Sequence, residues 1–173
     1  MEAPKYPVGP YQPAEPWDSK LRDRLTAEIE QAPSLLRQAV KGLSEEQLNN
    51  LYKNWSIRQI VHHLADSHVN SYIRFKWTLT EDNPLIKAYD ENLWSALPDA
   101  MTGKVEAPLA MMEGTHSRWI QLLKSMSLED FSKAFKHPDG RTVPLTNALG
   151  IYAWHGKHHT GQILWLREQK GWG

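Results

Sequence analysis

Two long stretches of this chain carry apolar side chains at helical spacing, and both set histidines into the same rows. Residues 56–80 place Ile57, Ile60, Val61, Leu64, Ala65, Tyr72 and Phe75 at helical steps. Residues 147–169 do the same with Ile151, Tyr152, Ile163 and Leu166. Stripes of this kind must be buried against other helices. Ser56-Ile-Arg-Gln59 opens the first stretch with a capping-box pattern. A further helix is expected from Trp17 or Asp18 to Lys41, with Leu21, Leu25, Ile29, Leu36 and Val40 facing inward. Pro33 predicts a kink or a restart there, and Gly42 a stop. Another helix starts with Pro108 in its first turn and runs through Leu109, Met112, Trp119, Leu122 and Leu123 to Ser125. The last one begins near Thr146 and ends near Gln169. Shorter helices are expected at Ser44–Asn50, near Asp90–Leu97, and from Ser127 to about Phe135. Pro138-Asp-Gly140 reads as a turn, with a tiny hairpin between 135–137 and 141–143.

Four long helices with little strand content predict an all-α four-helix bundle. The connection between the second and third long helices is about 25 residues, long enough for a crossover. Those two helices are therefore expected to run parallel, in up-down-down-up order. A single domain over residues 1–173 is expected, with 1–16 as a proline-rich strap. Pro4, Pro7, Pro10, Pro13 and Pro16 recur every third residue, which suits an extended polyproline-like course. Tyr6, Val8 and Tyr11 are placed to pin it.

Composition narrows the function. Lys plus Arg equals Asp plus Glu at 20 each, so the chain has no electrostatic footprint for nucleic acid or an anionic membrane. Cysteine is absent, which removes disulfides, thiolate metal sites and any thiol nucleophile of the protein's own. The N-terminal residues lack a basic and then apolar leader pattern, and no run reaches membrane-span length. The expectation is a cytoplasmic protein.

Within these limits the histidines carry the chemistry. His155 and His159 lie four apart, one above the other on a helical face. His158 is the alternative partner at a spacing of three, but the four-spacing groups better with the apolar positions. On the other helix, His63 shares a row with Ser67, Asn70 and Arg74, while His62 groups with Asp66. Three neutral imidazoles from two helices are a ligand set for an open catalytic zinc-type site. Asp66, Asn70 and Gln162 are candidates to orient ligands or substrate, and Arg74 is a candidate anchor for an anionic one. His68, His116 and His137 read as surface or locally bonded residues. Trp119, Trp154, Trp165, Met111 and Met112 read as core. The bland alternatives are a bundle that holds metal without catalysis and an interaction module whose histidine rows are only polar core.

The stretch 55–76, from Trp55-Ser-Ile-Arg-Gln-Ile-Val-His-His to Arg-Phe-Lys76, resembles the second helix of the DinB-like superfamily, specifically its YfiT-type metal-dependent hydrolases. Trp154-His-Gly-Lys-His-His-Thr-Gly-Gln-Ile163 resembles that family's last-helix motif. Tyr6–Pro13 and Tyr89–Trp94 are similar as well. The resemblance implies an up-down-down-up bundle, usually a homodimer, acting on a small molecule. It implies a divalent ion, zinc with nickel as the alternative, held by His63, His155 and His159. Hydrolysis by activated water is one implied chemistry. S-transfer or isomerisation with a low-molecular-weight thiol such as bacillithiol, mycothiol or glutathione is the other.

Overall fold

Asp18 caps the first helix by accepting the Leu21 N–H at 2.7 Å, and α1 then runs Ser19–Val40. The computed structural model describes residues 2–13 and 16–173. Pro33 neither ends nor restarts α1. Proline removes one N–H and strands the carbonyl four residues back. Here that carbonyl, of Ile29, lies 2.6 Å from His116 Nδ1 on another helix, so the lost bond is replaced.

After α1, Ser44 and Gln47 cap each other's backbone at the start of α2, Glu45–Leu48. The two-residue strands β1, Leu51–Tyr52, and β2, Trp55–Ser56, form an antiparallel pair too short to show in the sequence pattern, with Lys53 at φ 55° in its turn. The second capping box, Ser56 with Gln59, opens α3, Ile57–Thr80. The crossover that follows carries α4, Glu91–Ser95, capped by Asp90, and α5, Pro98–Thr102. α6 spans Glu106–Ser125, which leaves Pro108 in the first turn, where its missing N–H has no helical partner to lose. The short helix expected after Ser127 shrinks to a 3-10 turn at Asp130–Ser132. The next residues are drawn instead into β3, Ala134–Lys136, paired with β4, Thr142–Pro144, with Phe135 opposite Val143. α7, Leu145–Lys170, ends at Gly171, whose φ of 65° suits a helix stop.

Side-chain contacts fix the direction of each long helix. Along α1 and α6, Arg37 meets Glu106 and Glu113 while Glu30 meets Lys124, so these two run antiparallel. His68 meets His116 and Phe75 meets Trp119, so α3 and α6 run parallel. His63 meets His159 and Arg74 meets Tyr152, so α3 and α7 are antiparallel. Glu28 pairs with Lys157 and the Ala39 carbonyl with Arg167, so α1 and α7 are parallel. The order is up-down-down-up, with 81–105 as the crossover. Arg58, 2% exposed, ties the crossover down through the Gly103 carbonyl at 2.6 Å and also reaches Asn49 and Glu45.

The strap lies across α7. Tyr11 Oη donates to Asn147 Oδ1 at 2.9 Å, and Trp154 Nε1 donates to the Gly9 carbonyl at 2.9 Å. A Cβ at Gly150 would lie 2.7 Å from Tyr11 Oη and one at Gly161 would lie 2.9 Å from Val8, so these glycines leave room for the strap. Its course is not continuously extended: the Gly9 N–H donates to the Tyr6 carbonyl, closing a turn between two of the prolines. Met1, Ala14 and Glu15 of the expected strap lie outside the described residues. Among the described residues, no helix is long and apolar enough to cross a membrane.

Two apolar clusters fill the bundle, one around Ile29, Phe75, Trp119 and Phe131, the other around Leu36, Ile60, Leu64 and Met112. Along each long helix the change from one to the other falls in the same layer: 29 to 32 on α1, 65 to 75 on α3, 112 to 119 on α6 and 153 to 163 on α7. Histidines occupy that layer. A layer of this kind makes the apolar clusters responsible for stability. Leu36→Ala, at a fully buried position, is expected to cost about 2–5 kcal/mol, and Leu35→Ala, 42% exposed, within about 0.5. Urea unfolding of both variants checks this, and equal losses would contradict it.

Candidate metal centre

Because α3 and α7 are antiparallel, His63 comes to face His155 and His159. One ring nitrogen from each of the three lies within 4.8 Å of the others. The Nε2 atoms of His63 and His155 are 3.2 Å apart, and the His159 ring centre is 4.8 Å from that of His63 and 4.5 Å from that of His155. A tetrahedral ion with bonds of about 2.0–2.1 Å to imidazole sets its ligand nitrogens about 3.3 Å apart. The spacing and the donor set therefore suit a divalent cation.

The rings are also in the right charge state. Burial holds the His63 pKa down to about 4, with the neighbouring His158 lowering it further. Burial, then the adjacent histidines, holds His155 and His159 well below the ordinary histidine range. All three are neutral at pH 7 and offer lone pairs. Gln162 sets one of them. Its Oε1 lies 2.8 Å from His159 Nδ1, and a carbonyl oxygen only accepts, so the proton is on Nδ1 and Nε2 faces the group. Gln162 Nε2 in turn donates to His158 Nε2 at 3.1 Å. His158 stacks on Trp154, with centres 4.6 Å apart, and its Nε2 is taken up by Gln162.

Around the three histidines opens a cleft of about 420 Å³, walled by Trp55, Ser67, Arg74, Tyr89, His137 and Tyr152. Trp55, from the β1–β2 hairpin, packs on His63 with ring centres 4.5 Å apart. Arg74 Nη1 donates to Tyr152 Oη at 3.3 Å. Burial raises the Tyr89 phenol to about 12, so it stays protonated and able to donate. The structure thus brings Arg74 and Gln162 to the histidines. Asp66 and Asn70 do not line the cleft. Asn70 donates to the Asp66 carbonyl of its own helix, and burial, then the charge of Asp99, raises the Asp66 carboxyl to about 6. His62 is buried with its Nε2 unpartnered among the described residues, and Asp99 rather than Asp66 is its main charged neighbour.

Two residues, His68 and His116, depart from the expectation of surface or local roles, while His137 keeps the local bond expected of it. His68 is fully buried and His116 nearly so, and they stack on each other beneath His155. His137 lines the cleft, with Nδ1 2.9 Å from Asp139. The available signal was position: His116 follows Met112 by one turn and precedes Trp119 by three residues, inside a core stripe.

The pattern of the DinB superfamily matches residues 28–163. The chain belongs to that superfamily. A Bacillus cereus (strain AH820) protein named "putative metal-dependent hydrolase" is 46% identical over 170 residues, covering 97% of this chain and 98% of the relative. A Bacillus anthracis protein of the same name is identical to the same extent. The solved structure of YfiT from Bacillus subtilis, described as "a probable metal-dependent hydrolase with an unusual four-helix bundle topology", superimposes with a TM-score of 0.94 at 43% identity, covering 97% of this chain and 98% of YfiT. A mycothiol-dependent maleylpyruvate isomerase, at 17% identity and a TM-score of 0.65 over 80% of this chain and 59% of that one, shares the fold.

The buried imidazoles make stability depend on pH. Burial holds His116, like His63, at about 4, against 6.5 in an exposed chain. Between those values the unfolded chain binds more protons than the folded one, so stability rises with pH across the window and is lost on acidification. Asp66 acts in the opposite sense, as one half-buried carboxyl against seven imidazoles whose pKa burial lowers. The metal-free protein is expected to lose melting temperature steadily from about pH 6.5 toward 4; calorimetry at stepped pH checks this, and a flat profile would contradict it.

Proposed function

We propose that this protein is a metal-dependent hydrolase whose divalent ion, zinc in first preference and nickel in second, is held by His63, His155 and His159. The observation that supports it is the convergence of three neutral imidazoles on one point at the floor of an open cleft. A divalent ion bound by neutral ligands keeps its full charge and supplies Lewis acidity, which lowers the pKa of coordinated water to about 7 in the best case. The chain's own groups do the rest. Gln162 keeps His159 in the tautomer that presents Nε2. Trp55 and Tyr152 wall the floor against bulk water. Arg74 offers a guanidinium to a carboxylate or similar anionic group of a small substrate, with Tyr152 steadying it. Asp66 and Asn70 take no part at the floor. Homodimer formation and a cytoplasmic setting, implied by the resemblance, belong to the same proposal, as does the absence of nucleic-acid and membrane partners.

Purified zinc-loaded protein, presented with a panel of esters and amides, is expected to hydrolyse some with water alone. His63→Ala, His155→Ala and His159→Ala should each lose stoichiometric zinc and about a thousandfold or more in rate. The competing reading, S-transfer, predicts turnover of thiol-reactive electrophiles only when bacillithiol, mycothiol or glutathione is added. Zinc retained in all three variants would overturn the site. Arg74→Met is expected to raise KM about tenfold to a hundredfold for carboxylate-bearing substrates and to leave neutral analogues unchanged. Equal effects on both would remove Arg74 from substrate binding.

A further inference from the structure

Beneath the three proposed ligands runs a line of ring nitrogens that reaches the far side of the bundle. His155 Nδ1 lies 3.3 Å from His68 Nε2. His68 Nδ1 lies 2.8 Å from His116 Nε2. His116 Nδ1 lies 2.6 Å from the Ile29 carbonyl. The line crosses three helices, α7, α3 and α6, and ends on the fourth, α1.

Proton positions along it follow from its last member. A backbone carbonyl only accepts, so His116 Nδ1 carries a hydrogen. His116 is neutral in its buried setting, which leaves Nε2 as a lone pair, so the contact with His68 requires a hydrogen on His68 Nδ1. The same step repeated leaves His68 Nε2 as an acceptor and puts the hydrogen of His155 on Nδ1. His155 Nε2 is then a lone pair aimed at His63 Nε2, 3.2 Å away. The Ile29 carbonyl is available for this because Pro33, four residues on, has no N–H to give it. Beside the line, Gly156 lets α7 approach α1 closely: a Cβ there would lie a tight 3.3 Å from Ala32 Cβ, and an ordinary 3.6 Å from His68 Cε1.

We infer that His68 and His116 are positioning residues, which with the carbonyl freed by Pro33 fix the Nδ1–H tautomer and ring orientation of His155 and so present its Nε2 for metal binding. The inference rests on the proposed metal site and assigns it a support that starts on the opposite helix. A carbonyl cannot pass a proton onward, so the line orients and does not conduct. It also ends on a neutral group where metal-bound histidines often lean on a carboxylate. The support therefore adds no negative charge, and a bound cation keeps its Lewis acidity.

Side-chain ¹H–¹⁵N NMR on the metal-free protein at pH 7, together with zinc affinity measured against a competing chelator, tests this. In the wild type His155, His68 and His116 should all be Nδ1–H tautomers. His116→Leu removes the donor and the acceptor together; His155 should then show mixed tautomers and zinc affinity should fall about 10- to 100-fold. His116→Gln keeps one donor and one acceptor and should restore affinity to within about threefold. An Nε2–H tautomer of His155 in the wild type overturns the inference whether or not any variant folds. Equal losses in His116→Leu and His116→Gln overturn it as well, because bulk would then be all that His116 supplies. A wild type that shows the Nδ1–H pattern but takes up no zinc would instead remove the metal site and leave the tautomer chain in place.

Discussion

Neutral imidazoles held together by burial are the constraint on which the rest of this structure depends. A histidine taken out of water must stay uncharged and find partners for both ring nitrogens. His63, His155 and His159 meet that demand in part among themselves, and the remainder falls to Gln162 on one side and to His68 and His116 on the other. The result is a polar layer between two apolar clusters, in which ring nitrogens pair with neighbouring imidazoles, with Gln162 and with the Ile29 carbonyl. Such a layer is tolerable only when nearly every member is satisfied, since a half-bonded network in a low-dielectric interior is worse than an apolar core.

The unusual helix order follows the same logic. His68 can meet His116 only where α3 and α6 run side by side in register, and with parallel helices that needs the crossover at 81–105. The crossover does a second job by carrying Tyr89 to the cleft wall. Arg58 anchors its far end at Gly103. The hairpin before α3 brings Trp55 onto His63. The strap covers the outer face of α7, on the side away from the cleft, through Gly150 and Gly161. The connecting segments thus hold and shape a site whose chemistry sits on rigid helices.

Much of this could be read from local pattern. Apolar spacing and, for α3, the Ser56 capping box located the long helices to within a residue or two, because both signals act within one or two turns. The spacing of His155 and His159 and the polar row of His63 pointed to one shared face. What escaped was set by distant partners. Pro33 reads as a break when only its own helix is considered, and it is absorbed because His116, 83 positions away, takes the orphaned Ile29 carbonyl. His68 and His116 read as surface because a polar side chain in a core stripe looks like an error until its partner is known. The hairpin expected around Pro138-Asp-Gly140 formed, pairing Ala134–Lys136 with Thr142–Pro144, whereas the helix expected after Ser127 shortened to a 3-10 turn at Asp130–Ser132. Asp66 fits a helical pair with His62 by spacing, yet Asp99 on the crossover is the charge both of them face.

The central claim is that three imidazoles from α3 and α7 share one ion. X-ray absorption at the zinc edge, on protein loaded with one equivalent of zinc, tests it most directly. The account predicts three nitrogen donors at about 2.0–2.1 Å with the outer-shell scattering of imidazole rings, leaving room for one solvent oxygen. A shell made up of oxygen donors, or one with fewer than three imidazoles, would contradict it.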